Sequence, residues 1–376
     1  MSSPQGDPSG SQAGHPGLAQ QPGTEQQPGP GAQPGIEQQP GAGEQPDIGE
    51  QPGAEGPADA GLRLGEDGPP LARTSLDRAA HRRKDDDWLA QAWKSGLVLI
   101  IDSGKGGRAL IAERPDGAPE LVLVSADEAP EGERLFLGIE PAGVPVFAVD
   151  AALPEVEGAQ PRTLRDVGDR LDPRDAGLFT TAAALANWHA SHRFSPRNGQ
   201  PTTVIEAGWS RVDAEGQQMW PRTDPAMIVL VHDGVAGPQG RCLLGHNAAW
   251  PETGGVRRFS CLAGYVEPGE SAEAAVGREV REEVGVRLRS IQYEGSQSWP
   301  YPGSLMLGYT AVADRDQPIV VDPEEIDEAR WFTRADVTQM IAGEYVEPTS
   351  GVRMNLPMRA SIAFYLIERW LGVLAR

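Results

Sequence analysis

The chain has 376 residues and a formal net charge of −21, with 46 glycines and 34 prolines. This length allows two or three domains. The excess of acidic residues argues against a broad basic surface that binds nucleic acid. The two cysteines, Cys242 and Cys261, are too few for a disulfide framework and lack metal-ligand spacing. Because no apolar run reaches the length of a membrane span and no signal-peptide pattern opens the chain, we expect a cytoplasmic protein without membrane contact.

Residues 1–73 form a low-complexity segment with imperfect repeats such as TEQQPG and IEQQPG. No aromatic residue occurs before Trp88, and no lysine or arginine occurs before Arg63. Such a composition buries too little apolar area to offset the entropy of ordering, so it predicts a disordered tail. A solubilising acidic tail and a docking arm for a partner are both compatible with this composition.

Residues 74–172 contain a helical segment followed by short apolar runs, VLIIDSG, ALIAER, ELVLV, RLFLGI and PVFAVD. Glycine, proline and aspartate turn signals separate these runs, which predicts a small α/β domain without a cluster of catalytic groups. Residues 173–221 then give a helix and a linker of turns and short strands. His189 and His192 have metal-compatible spacing in that helix, but without a further ligand nearby we expect packing or surface roles.

Residues 222–376 begin with an apolar strand over Met227–His232 and end with a predicted helix over Pro357–Leu374. Between them lie further strand runs and one acidic helical segment. The alternation predicts a sheet layer with helices on either side, an α/β/α sandwich.

The acidic segment runs from Gly264 to Val286 and reads GYVEPGESAEAAVGREVREEVGV. Its helix begins near Ser271 and presents Glu279, Glu282 and Glu283 on one face, because their spacing is i, i+3 and i+4. Three like charges destabilise a helix. The pattern therefore indicates a hard divalent cation such as Mg²⁺ or Mn²⁺, which prefers oxygen ligands; a solvated acidic face is the alternative.

The same segment matches the Nudix box, G-x5-E-x7-R-E-U-x-E-E-x-G-U with U apolar, at every prescribed position. The chain thus resembles the Nudix hydrolases, which cleave a nucleoside diphosphate linked to another moiety. The resemblance implies metal binding by Glu279 and Glu283 together with the carbonyl of Ala263, and Glu283 as the general base. It further implies shared metal binding by Glu282, an orienting ion pair between Arg278 and Glu270, and a later metal contact from Glu328.

Segments around the box resemble one branch of that family, the NADH pyrophosphatases. SQSWPYPGS at 296–304 is similar to their SQPWPFPxS, and HRFSPRNG and WPRTDPAMI are similar to their HRFCPxCG and YPRxDPAVI. The resemblance covers residues 75–376 and implies an N-terminal domain, a zinc ribbon and a Nudix domain in a homodimer. Implied base-recognition residues are Trp220, Gln297, Ser298, Trp299, Pro300, Tyr301, Pro302, Gly303, Ser304 and Ala363.

The chain departs from this branch at the zinc ribbon. The four cysteines of the family would fall near Ser195, Asn198, Val212 and Glu215. None of these residues is cysteine, so thiolate coordination of Zn²⁺ is unavailable. We expect a ribbon remnant held by packing, without zinc.

The resemblance implies Mg²⁺- or Mn²⁺-dependent hydrolysis of NADH or NAD⁺ to the nicotinamide mononucleotide and AMP, with related activity on NAD-capped RNA. One alternative is a Nudix pyrophosphatase acting on ADP-ribose, diadenosine polyphosphate or another nucleotide. A second alternative is a catalytically silent nucleotide sensor. The presence of every box carboxylate argues against this alternative.

Overall fold

The computed structural model describes residues 68–251 and 254–373. The tail predicted over residues 1–73 lies outside the described residues up to position 67, but its last part is ordered. Leu71 is buried in the short 3₁₀ turn Pro70–Ala72, and its N–H donates to Gln297 Oε1 at 3.2 Å. The ordered chain therefore begins before Arg73, because Leu71 has both an apolar site and a hydrogen-bond partner. Within the described ranges, no helix is long and apolar enough to cross a membrane.

The N-terminal part forms a seven-stranded sheet with three helices. The sheet order is β3-β2-β1-β6-β5, with β4 beside β1 and β7 beside β2. The helices are α1 (Asp86–Ser95), α2 (Leu164–Val167) and α3 (Pro173–Ser191), and the strands are β1 (Leu97–Asp102), β2 (Arg108–Glu113), β3 (Pro119–Leu121), β4 (Leu123–Ser125), β5 (Arg134–Ile139), β6 (Pro145–Asp150) and β7 (Ala159–Thr163). The predicted α/β fold of this part is confirmed.

Helix α3 packs on this sheet through an apolar face. Leu178, Leu185 and Trp188 are buried there. His189 bonds to the carbonyl of Gly208 and to the Arg211 guanidinium, each at 2.9 Å. His189 thus has hydrogen-bond partners within the protein.

A three-stranded antiparallel sheet of β8 (Thr202–Ile205), β9 (Ser210–Asp213) and β10 (Gln218–Met219) follows. The four positions of the family's zinc ligands hold a hydroxyl, an amide, an apolar side chain and a carboxylate, which do not fit tetrahedral Zn²⁺. The buried carboxylate of Asp213 instead accepts hydrogen bonds from Asn198 Nδ2 at 3.0 Å and from the N–H groups of Glu215 and Gln217 at 3.0 and 2.9 Å. A polar network thus joins the two turns, which the prediction of a remnant held by packing did not include.

The C-terminal part is an α/β/α sandwich, as predicted. Its sheet has the order β15-β16-β11-β12-β17, with β14 beside β11. The strands are β11 (Asp224–His232), β12 (Arg241–Asn247), β13 (Val256–Arg258), β14 (Leu262–Tyr265), β15 (Leu288–Trp299), β16 (Ser304–Ala313), β17 (Ile326–Thr333) and β18 (Arg353–Asn355), and the helices are α4 (Ala272–Val284), α5 (Arg334–Ala342) and α6 (Ile362–Leu371).

Alternate residues of β11 build the two halves of the core. Val229 and its neighbours on one face pack with Val280 of α4, whereas Leu230 on the other face packs with Leu366 of α6. The period-two alternation of a strand thus places one helix on each side of the sheet.

The last helix is shorter than the predicted 357–374. It begins after Ser361, whose Oγ accepts from Phe364 N–H, and it ends at Gly372 in the left-handed conformation. Val373, which continues the apolar spacing in the sequence, is 67% exposed. The caps, and not the apolar periodicity, set the ends of this helix.

Candidate active site

Helix α4 turns two of its three box glutamates inward. Ser271 caps the helix by accepting from Ala274 N–H at 3.1 Å. Glu279 and Glu283 lie on the helix side that packs toward β11 and are buried, whereas Glu282 is exposed. The single acidic face predicted from spacing is therefore divided between the interior and solvent.

Arg278 joins the loop before α4 to the carboxylates of the helix. Its Nε and one terminal nitrogen contact the two oxygens of Glu270, each at 2.9 Å, and its other terminal nitrogen contacts Glu279 and Glu282 at 2.9 Å. It also donates to the carbonyl of Tyr265 at 3.0 Å. The hydrogen bonds from Arg278 hold the pKa of Glu270 below its usual value, so this pair keeps its charges while fixing the loop.

Glu283 carries a strongly perturbed carboxyl group. Burial, reinforced by the charges of Glu279 and Glu325, raises its pKa to about 8, against a smaller lowering effect of the Ala263 backbone. Burial likewise raises the pKa of Glu279, although Arg278 opposes this change. Glu283 Oε2 is buried without a hydrogen-bond partner. An unpartnered carboxylate oxygen among like charges fits a bound cation.

The backbone beside these carboxylates approaches them closely. A Cβ added at Gly264 would lie 2.1 Å from Glu279 Oε1, so any larger residue there would have to displace this carboxylate. Ala263 precedes it and lines the same cleft as Glu283. Within the described ranges, no three His, Cys, Asp or Glu side chains already converge on one point. The available oxygens are nonetheless of the kind that Mg²⁺ and Mn²⁺ bind, with water completing the shell.

Two glutamates near the start of β17 have different surroundings. Glu328, the predicted later metal contact, forms ion pairs with Arg257 and Arg330. Glu325, which the sequence interpretation missed, is the residue whose charge acts on Glu279 and Glu283. Glu325 directly precedes β17 and Glu328 lies within it, and sequence alone gives no signal for which one faces the helix.

Glu283 and Ala263 line a cleft of about 370 Å³. Of the predicted base-recognition residues, Trp299 and Ala363 line it. Gln297 is instead buried and donates to the Ala360 carbonyl at 3.0 Å, and Trp220 is 62% exposed and does not line it. Ser298, Pro302 and Gly303 line a separate cavity.

The remaining residues of the predicted segment have structural contacts. Tyr301 packs against Trp299 with ring centroids 5.3 Å apart. The carbonyl of Pro300 accepts from Asn187 at 2.6 Å, and Ser304 Oγ lies 3.3 Å from the Tyr265 hydroxyl. The structure thus brings only part of this segment to the cleft.

The N-terminal part contributes a cation to the cleft that the sequence interpretation missed. Arg165 of α2 lines it, with its guanidinium 4.0 Å from the centroid of Tyr301 and 5.6 Å from that of Trp299. A capping box of Thr163 and Asp166 fixes this short helix. No local motif marks Arg165, because its partners lie far along the chain.

Two family models match the chain. The model described as NUDIX domain matches residues 223–348, and the model described as NADH pyrophosphatase-like rudimentary NUDIX domain matches residues 99–188. The chain is 41% identical over 310 residues to the NAD-capped RNA hydrolase NudC of Mycobacterium tuberculosis, covering 80% of this chain and 94% of that protein.

Two eukaryotic relatives match a shorter part. The human protein named NAD(P)H pyrophosphatase NUDT13, mitochondrial, is 37% identical over 235 residues, which cover 60% of this chain and 64% of that protein. NAD-capped RNA hydrolase NUDT12 of Macaca fascicularis is 37% identical over 216 residues, which cover 54% and 43%.

Proposed function

The chain belongs to the Nudix hydrolases of the NADH pyrophosphatase subfamily, and we propose that it cleaves the pyrophosphate bond of NADH and NAD⁺. The products are the nicotinamide mononucleotide, reduced or oxidised, and AMP. The observation that carries this proposal is the buried Glu279–Glu283 pair, of which Glu283 lines a cleft together with Trp299 and Arg165. Buried carboxylates suit a metal-bound diphosphate, and the aromatic ring and guanidinium suit a flat base.

We propose Mg²⁺ or Mn²⁺ as the cofactor and Glu279, Glu283, Glu325 and the Ala263 carbonyl as its protein ligands. Glu325 replaces Glu328, the metal contact implied by the resemblance, because the carboxylate of Glu328 pairs with two arginines. When bound, the metal supplies positive charge that neutralises the phosphates and lowers the pKa of a water molecule.

The residues of the chain then perform separate tasks. Glu283 accepts the proton of the attacking water as the new P–O bond forms and the bridging P–O bond breaks. Arg278 and Glu270 hold the loop, and with it the Ala263 carbonyl, against α4. Glu282 is exposed and pairs with Arg278.

We extend the proposal to NAD-capped RNA, since relatives bear that activity in their names. A homodimer is part of the proposal, because Trp220 stands exposed and away from its own cleft, where it is free to serve a second copy. We also place the enzyme in the cytoplasm, in keeping with two buried free thiols, Cys242 and Cys261.

Mass spectrometry of the products tests the reaction. Wild-type protein with Mg²⁺ or Mn²⁺ is expected to convert NADH to reduced nicotinamide mononucleotide and AMP, and Glu283→Gln should lower kcat by about 10²- to 10⁴-fold. Nicotinamide and ADP-ribose as products would overturn the proposal. A higher kcat/KM for ADP-ribose than for NADH would favour the alternative substrate class, and no turnover with either metal would favour a nucleotide sensor.

A further inference from the structure

The ordered chain begins with a short strap that contacts both parts of the protein. We define the strap as residues 69–73, which comprise the 3₁₀ turn Pro70–Ala72 and one residue on either side. Leu71 at its centre is 3% exposed and belongs to the same buried cluster as the apolar side chains of α2. Arg73 Nε donates to the carbonyl of Pro70 at 3.0 Å and so closes the strap on itself. The strap is therefore part of the folded core.

The strap holds the C-terminal end of α2, the helix that carries Arg165. One terminal nitrogen of Arg73 donates to the carbonyls of Gly168 and Asp169, at 3.0 and 3.2 Å. Carbonyls at the end of a helix have no partner within the helix, and an arginine side chain can satisfy them. Leu71 packs at the same place, because a Cβ added at Gly168 would lie 2.4 Å from Leu71 Cδ2.

The strap also binds the Nudix part, through one buried amide side chain. Leu71 N–H donates to Gln297 Oε1 at 3.2 Å, and Gln297 Nε2 donates to the carbonyl of Ala360 at 3.0 Å. Gln297 lies two residues before Trp299 on β15, and Ala360 directly precedes Ser361, the N-cap of α6. Trp299 and Ser361 both line the cleft. The strap thus joins α2 to two elements of the cleft wall.

Helix α2 depends on tertiary contacts for its position. It has four residues, and an isolated helix shorter than about 12 residues is marginal in water. The capping box of Thr163 and Asp166 fixes its start, whereas the strap fixes its end. Arg165 leaves this helix and reaches the cleft, with its guanidinium 4.0 Å from the centroid of Tyr301. The place of Arg165 in the cleft therefore depends on the strap.

We propose that the strap positions Arg165 for substrate binding, with Leu71 and Arg73 as the positioning residues. This inference rests on the proposed function, since it takes the cleft as the site that binds NAD(H). Leu71 and Arg73 line a separate cavity, so they act on the cleft through α2. The carboxylates of Glu279 and Glu283 stand on another helix, α4. Loss of the strap contacts should therefore weaken substrate binding more than it slows the chemical step.

Steady-state kinetics of the full-length variant Arg73→Met test this role. The substitution removes the guanidinium donors and keeps the apolar stem of the side chain. We expect KM for NADH to rise about 5- to 20-fold while kcat stays within about threefold, because binding is lost equally in the ground state and the transition state. Arg73→Lys retains a donor and should recover part of this loss.

The matched control is Arg82→Met. Arg82 pairs with Asp85 at 3.3 Å and lies over the ring of Trp88, outside the cleft. Because exposed ion pairs contribute little to stability, this variant should keep the KM and kcat of wild type. A wild-type KM for Arg73→Met as well would overturn the proposal.

A double-mutant cycle with Arg165→Ala separates positioning from a general structural loss. If Arg73 acts through Arg165, Arg73→Met should change KM by less than about twofold once the Arg165 side chain is absent. Leu71→Ala should give the same pattern through lost packing. A rise in KM that is as large in the Arg165→Ala background as in wild type would refute the positioning role.

Hydrogen exchange measures the same effect without a substrate. The N–H groups of Gly168, Arg170 and Leu171 donate to carbonyls of α2. In Arg73→Met these amides should exchange about 10-fold faster, whereas those of α4 should keep the wild-type rate. If wild type left NADH intact, the proposed function would fall, and the exchange rates would still decide whether the strap positions α2. Unchanged exchange at these three amides would refute the strap even in an active enzyme.

Discussion

At the scale of single residues, Glu283 combines burial with like-charged neighbours. Its pKa of about 8 means that the folded, metal-free protein binds a proton that the unfolded chain releases near 4.5. Because the folded state favours the protonated carboxyl group, Glu283 stabilises the fold most below about pH 4.5. This stabilisation is lost as the pH rises toward about 8. A bound cation offsets the cost of burying the ionised carboxylate, because it pairs with that negative charge.

We therefore expect the Tm of metal-free protein to fall by several degrees between about pH 5 and about pH 8, relative to Glu283→Gln. Thermal unfolding in a chelator measures this difference. Adding Mn²⁺ should raise the Tm most at the upper end of the range. Glu282→Gln is the control, because this exposed residue should leave the shape of the curve unchanged. A Tm difference between wild type and Glu283→Gln that does not change with pH would contradict the expected role of burial.

Gly264 is a second residue whose effect is local. An added methyl group would meet the Glu279 carboxylate at 2.1 Å and displace it. We expect Gly264→Ala to lower kcat/KM for NADH by about 100-fold, since small displacements of catalytic groups have effects of that size. Gly277→Ala is the matched control, because this glycine of α4 has no atom within 4 Å of its added Cβ. Equal activity of the two variants would refute the argument.

At the scale of elements, the apolar runs and the box predicted both parts of the fold and the position of α4. They missed α5, although Thr333 and Asp336 form a capping box at its start. The later metal contact was assigned to Glu328, but spacing along a chain does not show which of two nearby carboxylates faces a distant helix. Arg165 was missed for the same reason, because its place in the cleft depends on the packing of two parts.

In the β8–β10 sheet, the buried carboxylate of Asp213 joins two turns through hydrogen bonds. Burial opposes ionisation of Asp213, but hydrogen bonds from Gln217, Ser195 and Asn198 outweigh it and hold its pKa below the usual value. The stability from this group is therefore present above the pKa of the unfolded chain and is lost as pH falls through the lower folded value.

We expect Asp213→Ala to make this sheet susceptible to limited proteolysis and to lower the Tm at neutral pH. In wild type, the same loosening should occur on acidification, whereas a chelator should have no effect on the protease sites of this sheet. Glu215→Gln is the control, since its side chain is exposed. A chelator-sensitive cleavage pattern would instead indicate a metal at the ribbon.

At the scale of the whole molecule, the exposed Trp220 permits a test of the proposed dimer. Trp220→Ala and Glu283→Gln should each be weakly active alone. Co-expressed in equal amounts, they should form heterodimers with one complete cleft each and regain about a quarter of wild-type activity. The pair Trp299→Ala and Glu283→Gln should show no such recovery, since both residues belong to the same cleft. Failure of the first pair to recover would place Trp220 outside the partner's cleft.

The position of Arg165 has a further consequence for how the two parts stay together. The complete cleft exists only while the N-terminal part is docked on the Nudix sheet, so a ligand that contacts both parts binds the docked form alone. By thermodynamic linkage, such a ligand shifts the docking equilibrium by RT ln(1 + [L]/Kd). The increase that substrate causes in the resistance of the interdomain junction to opening is therefore a measure of substrate affinity.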